Sequence, residues 1–228
     1  MSKTNVKKYG LMFALVSVML VSFSLPLAQG ADDYVPASVA NVQNGTYPVA
    51  RDLYLYTNGE PAANSLAMDF INFLLGETGQ EIAANESYVP LEPETYSNNG
   101  ATGTLTVEGS TTVFPIAQAA SENYTASYSS TDITVTGTGS GSGIEQLIAG
   151  NIDIAMASRA IKDEEKTELP NWKEYVIAKD GIAIVVNEAN GIEELTLTEV
   201  KMIYNGTINN WKELGGSDSA IAAINRES

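Results

Sequence analysis

The chain has 228 residues, 12 Lys+Arg against 28 Asp+Glu, a formal charge of −16, and neither His nor Cys. So acidic a polymer repels nucleic acid and anionic membrane, and no nucleic-acid partner is expected. Without Cys there is no disulfide scaffold, thiol nucleophile or lipid-modified cysteine. Without His the common zinc sites and Ser-His or Cys-His catalysis are excluded too, so neither a metal, a cofactor nor an enzyme activity is expected.

Residues 1–30 read as a secretory signal. Lys3, Lys7 and Lys8 precede an apolar run from Leu11 to Phe23, and Ala28-Gln29-Gly30 is a small-residue exit. Loss of that segment removes three lysines and no acid, deepening the negative charge, and it implies a secreted, periplasmic or cell-surface protein. Residues 52–57 read as a strand ending at the turn Asn58-Gly59. Leu66, Ala67, Phe70, Ile71 and Leu74 fall on one face of a helix expected over 62–75, with a second short helix over 77–84. Pro, Gly, Asn and Ser over 92–103 read as a linker.

Beyond it the pattern alternates. Strands are expected at 104–108, 133–136 and 152–156, and helices at 114–124 and 144–149, with Pro115 tolerable in a first turn. This βαβαβ rhythm argues an α/β fold with a mixed, mainly parallel sheet, whose ligands sit at the carboxyl ends of the strands. Residues 163–169 read as a charged surface helix and the apolar run 181–186 as a buried strand. A short helix is expected at 198–204 and a last strand at 221–224.

Three short loops fall at the expected ligand end: Gly109-Ser110-Thr111-Thr112-Val113, Gly139-Ser140-Gly141-Ser142-Gly143 and Ala157-Ser158-Arg159. Gly/Ser/Thr turns at helix starts present free N–H groups, small hydroxyls and the positive end of the helix dipole, which suits a small tetrahedral oxyanion. The glycine run does not fit G-x-G-x-x-G and no G-K-[ST] follows, so a nucleotide is not expected. Arg51, Arg159 and Arg226 are the chain's only arginines, and Arg159 and Arg226 each follow an expected strand end. A guanidinium can grip an oxyanion with two parallel bonds, which lysine cannot match.

These segments resemble the phosphate-binding protein of phosphate ABC transporters. Gly109 to Pro115, Thr136 to Ile144 and Asp153 to Arg159 resemble the family's first three phosphate loops. Val200 to Gly216 is similar to a signature stretch of its second lobe, and Ile221 to Arg226 to the strand leading into its fourth loop. The resemblance implies a periplasmic-binding-protein-like (type II) fold whose two lobes close on inorganic phosphate, delivered to the permease subunits of an ABC importer. It implies phosphate contacts from Ser110, Thr111, Thr112, Ser140, Ser158, Arg159 and Arg226. Where some members carry an Asp acceptor this chain has Ser158, so discrimination against sulfate would rest on another acid such as Glu108.

The order of segments departs from the family. Residues 44–91 resemble its carboxyl-terminal part yet precede the first phosphate loop, and the fourth loop is missing after Arg226. The expected organisation is a signal peptide over 1–30, a carboxyl-terminal-like piece of lobe one over 31–99, the amino-terminal part of lobe one over 100–178, and an incomplete lobe two over 179–228. The alternative function is a truncated, non-binding remnant or surface-structural domain of the same fold.

Overall fold

A computed structural model describes residues 34–224. The expected signal peptide and Arg226 lie outside the described residues. In chain order the elements are α1 (Val39–Gln43), β1 (Ala50–Asn58), α2 (Leu66–Leu75), α3 (Glu77–Asn85), β2 (Gly103–Gly109), α4 (Phe114–Ser127), β3 (Thr131–Gly137), α5 (Ser140–Ile148), β4 (Ile154–Ala157), α6 (Asp163–Glu168), β5 (Trp172–Gly181) and α7 (Leu197–Tyr204). Two 3₁₀ turns lie at Glu188–Asn190 and Trp211–Leu214.

The five strands form one sheet in the order β3-β2-β4-β1-β5. β2 pairs in parallel with β3 and β4, whereas β1 pairs antiparallel with β4 and β5. β1 therefore runs against the other strands, and the sheet is mixed, as expected. Alternation along β1 and β4 sorts side chains to two faces. Leu53, Leu55, Ile154 and Met156 join Phe70, Ile71, Leu74, Ile116 and Tyr124 in one core under α2, α3 and α4. Tyr56, Ala155 and Ala157 join Ile144, Leu147 and Ile161 in a second core under α5. The result is three layers, helix on sheet on helix.

Ala50–Gly181 forms one compact unit, and residues 34–49 with 182–224 form the other. The stretch 34–49, expected within lobe one, thus groups with the later residues. The smaller unit carries α1, α7 and the two 3₁₀ turns, and its buried apolar residues are few: Val42, Tyr47, Ile203 and Ile208.

Two expected strands are corrected. The apolar run 181–186 is not a buried strand: the ladder ends at Gly181, Ile184 is 37% exposed and Val185 87% exposed. The strand here is β5, which the sequence disguises because an edge strand mixes charged and apolar residues. Residues 221–224 form no strand either. Asn210 and Ala220 make an isolated bridge, and Ile224 is 77% exposed. The expected linker over 92–103 is firmly tied to the large unit. Glu94 bridges to Gly76, and buried Asp69 accepts from Tyr96 Oη (3.0 Å), Asn98 Nδ2 (2.7 Å), Asn99 N (2.9 Å) and Tyr124 Oη.

Candidate anion site at the strand ends

Gly109, the last residue of β2, organises the ligand end of the sheet. It pairs with Gly137 on one side and Met156 on the other. Its carbonyl accepts from the N–H groups of Thr138 (2.8 Å) and Gly139 (2.7 Å). The next N–H, of Ser110, bonds the Met156 carbonyl at 2.9 Å. Only glycine suits this position: φ is +140° and a Cβ would lie 2.2 Å from the Met156 carbonyl oxygen. Gly143 serves the same closeness from α5, where a Cβ would stand 2.6 Å from the Glu108 carbonyl oxygen and from Gly109 Cα.

The first loop turns tightly before α4. Ser110 is buried, and its Oγ accepts from Thr112 N (3.2 Å) and Val113 N (3.4 Å). Its lone pairs thus hold the loop, which leaves the hydroxyl hydrogen as its only donor to an anion. Thr111 is exposed, and its N–H takes no acceptor among the described residues. Thr112 is half-buried and braced from two sides. Its carbonyl accepts from Tyr88 Oη at 2.6 Å, and its Oγ1 lies 3.4 Å from Arg51 Nη2.

The second loop opens α5. The N–H groups of Ser140, Gly141 and Ser142 take no acceptor among the described residues, as in any first helical turn, and the first backbone bond of the helix runs from Gly143 N to Gly139 O at 3.0 Å. Ser140 Oγ accepts from Ser158 N at 3.2 Å, joining the second loop to the third. Glu108 Oε1 accepts from Thr138 Oγ1 at 2.8 Å and sits 3.5 Å from Ser142 Oγ, so this acid is engaged with the second loop's hydroxyls.

The third loop carries Arg159 beside Ser158. Its guanidinium meets Glu165 fork to fork, Nη1 to Oε2 at 2.8 Å and Nη2 to Oε1 at 2.6 Å. Burial pushes the Glu165 carboxyl up, but the Arg159 bonds, the Lys162 N–H and the nearby positive charges outweigh it and hold the group below its ordinary value.

Of the seven residues the sequence singles out, Ser110, Thr111, Thr112, Ser140, Ser158 and Arg159 are brought to one end of the sheet through these bonds. Sequence reading passed over Arg51, which pairs with Asp180 at 2.9 Å while reaching Thr112, and Tyr88. Burial and the Asp180 charge push the Tyr88 phenol up, against the opposing effect of Arg51, so it stays a neutral donor. A separate cavity of about 510 Å³, lined by Ser65, Thr102, Thr104 and Asp153, lies at the opposite end of the strands and shares no residue with the loops. Among the described residues no cluster of acids could hold a metal ion, and no helix is long and apolar enough to cross a membrane.

The PBP superfamily domain matches residues 94–228. The phosphate-binding protein PstS 2 of Streptococcus agalactiae serotype V is 31% identical over 179 residues, covering 78% of this chain and 60% of that protein. The phosphate-binding protein PstS of Staphylococcus aureus USA300 is 37% identical over 138 residues, covering 58% of this chain and 42% of that protein. A crystal structure of a phosphate-binding protein of a phosphate ABC transporter, from Streptococcus pneumoniae TIGR4, is similar at a TM-score of 0.69 and 29% identity, covering 78% of this chain and 68% of that one. This chain thus spans about three fifths or less of the length of these curated relatives.

Proposed function

Because the chain belongs to the PBP superfamily, we propose that it binds inorganic phosphate outside the cytoplasm as the substrate-binding component of an ABC importer. One observation carries the reading: three hydroxyl-bearing loops are tied together at Gly109, Ser140 and Ser158, with free helix-start N–H groups beside them. Such a cluster meets a tetrahedral anion with directed donors instead of a broad positive field. The relatives named above are phosphate-binding proteins by name, which fits a tetrahedral anion over a nucleotide or sugar. Thr111 and Ser140 supply hydroxyl and backbone donors, Thr112 and Ser158 supply hydroxyls, Ser110 shapes its loop and keeps one donor, and Arg159 supplies the nearby charge. Arg226 completes the assignment from the resemblance alone. The permease subunits are the corresponding partners.

The test is equilibrium binding of labelled phosphate to the purified chain, with sulfate as competitor. Phosphate that cold phosphate displaces, and sulfate displaces poorly, supports the reading. Arg159→Ala should weaken binding by about tenfold or more, the loss of one charge-assisted contact. No binding by a folded sample favours the second reading, a non-binding remnant. That reading has its own observation: among the described residues, the exposed large apolar side chains, Val185 and Ile224 foremost, all lie in the unit formed by 34–49 and 182–224.

A further inference from the structure

Arg159 has five N–H donors in a plane. Three are spoken for. Nη1 donates to the Ala160 carbonyl at 3.0 Å and to Glu165 Oε2 at 2.8 Å, and Nη2 donates once, to Glu165 Oε1 at 2.6 Å. Among the described residues the two donors that remain are Nε–H and the second Nη2–H. They lie on the same edge of the guanidinium, at the spacing that meets two oxygens of one tetrahedral anion. The arginine side chain is 27% exposed and its partner 13%, so the pair is reachable at the arginine end.

Glu165 is itself held. Its Oε2 also accepts from Lys162 N at 2.8 Å, at the third position of α6. The segment between is pinned by buried Tyr56, whose hydroxyl accepts from Ile161 N at 3.1 Å and donates to Glu174 Oε2 at 3.1 Å. At the other end, Ser158 N is bound to Ser140 Oγ. The arginine therefore stands between two fixed points. An isolated arginine side chain would lose much rotamer freedom on gripping an anion, whereas a guanidinium already clamped at one end loses little.

We propose that Glu165 is a positioning residue: it clamps the Nη1–Nη2 end of Arg159 and leaves the Nε–Nη2 edge as the arginine's contact for the tetrahedral anion. The inference rests on the loop cluster being an anion site. It opposes a simple charge argument. A carboxylate beside an anion site repels the anion, so on Coulomb grounds alone neutralising Glu165 would tighten binding. Positioning predicts the reverse.

The experiment titrates inorganic phosphate into the full chain and its Glu165→Gln, Arg159→Ala and doubly substituted variants by calorimetry, with the Arg159 Nε–H resonance of the unsubstituted chain followed by NMR. The expected result is about tenfold weaker binding in Glu165→Gln, a double variant no weaker than Arg159→Ala alone, and a shift and slowed exchange of the Arg159 Nε–H on phosphate binding. Unchanged or tighter binding in Glu165→Gln overturns the inference and leaves the phosphate reading standing. So does an unmoved Nε–H in a chain that takes up phosphate, a result that needs no variant to fold. Absence of both heat and any shift at the Thr111 and Ser140 amides, with phosphate and with sulfate, overturns the phosphate reading and this inference with it.

Discussion

At the scale of single residues, glycines set the geometry of the strand ends and their substitutions separate two physical costs. At Gly109 an added Cβ meets the Met156 carbonyl oxygen at 2.2 Å on a backbone at φ +140°, and the carbonyl belongs to a paired strand that cannot step aside. At Gly139 φ is +105° but nothing lies within 4 Å of the added atom. Gly139→Ala should therefore cost only backbone strain, about 1–3 kcal/mol. Gly109→Ala should cost more, and should also part the first loop from the third. Urea unfolding of both variants checks the order, and equal losses would contradict the packing at Gly109. The Arg159–Glu165 pair gives a pH signature. The native carboxyl is held below its ordinary value of 4.5, so the pair's stabilisation is fully present above that value and is lost as pH falls through the lowered native one. The stability difference between the unsubstituted chain and Glu165→Gln should accordingly shrink on acidification below about pH 4, and a difference that stays constant down to pH 2 would contradict the shift.

At the scale of elements, the crossing from α3 to β2 behaves as a fixture. Gln80, buried in α3, donates to the Leu74 carbonyl (2.7 Å) and the Ile177 carbonyl (3.0 Å) and accepts from Leu91 N (2.7 Å). Asp69 then collects the donors of Tyr96, Asn98, Asn99 and Tyr124 on one carboxylate that is 1% exposed. Asp69→Ala strands the buried Tyr124 hydroxyl and the half-buried Tyr96 and Asn98 donors at once, for a loss of about 2–4 kcal/mol. It should also expose 92–103 to limited proteolysis before the rest of the large unit. Resistance of that segment in a folded Asp69→Ala chain would show that the hub is dispensable. The sequence pattern reads this stretch as a linker because Pro, Gly and Asn report local conformation, and the acceptor that captures them lies 27 residues or more away. The same limit hid Arg51. Its contact with Thr112 spans 61 residues and exists because β1 is threaded between β4 and β5, an order that no local pattern carries. By contrast the three loops, α2, α4 and β2 to β4 were legible, since each depends on periodicity or turn chemistry within a few residues. The apolar run 181–186 misled for an instructive reason: hydrophobicity marks a strand only when a neighbour is present to cover it.

At the scale of the whole molecule, charge and site are opposed. A net charge of −16 surrounds a cluster of anion donors, so a free anion approaches against a repulsive field and is retained only by short-range bonds. A receptor with a basic cleft gains its on-rate from attraction and loses it as salt rises. This chain should do the opposite. Between about 10 mM and 150 mM salt the screening length falls from roughly 30 Å to 8 Å, which removes most of the distant acids from the approach path while leaving bonds inside the loops nearly untouched. The association rate for phosphate should climb about two- to fivefold over that range, in stopped-flow measurements with an inert salt, and the dissociation rate should change little. A rate that falls with salt would mean that a local positive field, Arg51 and Arg159 foremost, outweighs the acids at the site. The acidic exterior would then act on solubility alone, with no part in how the anion arrives.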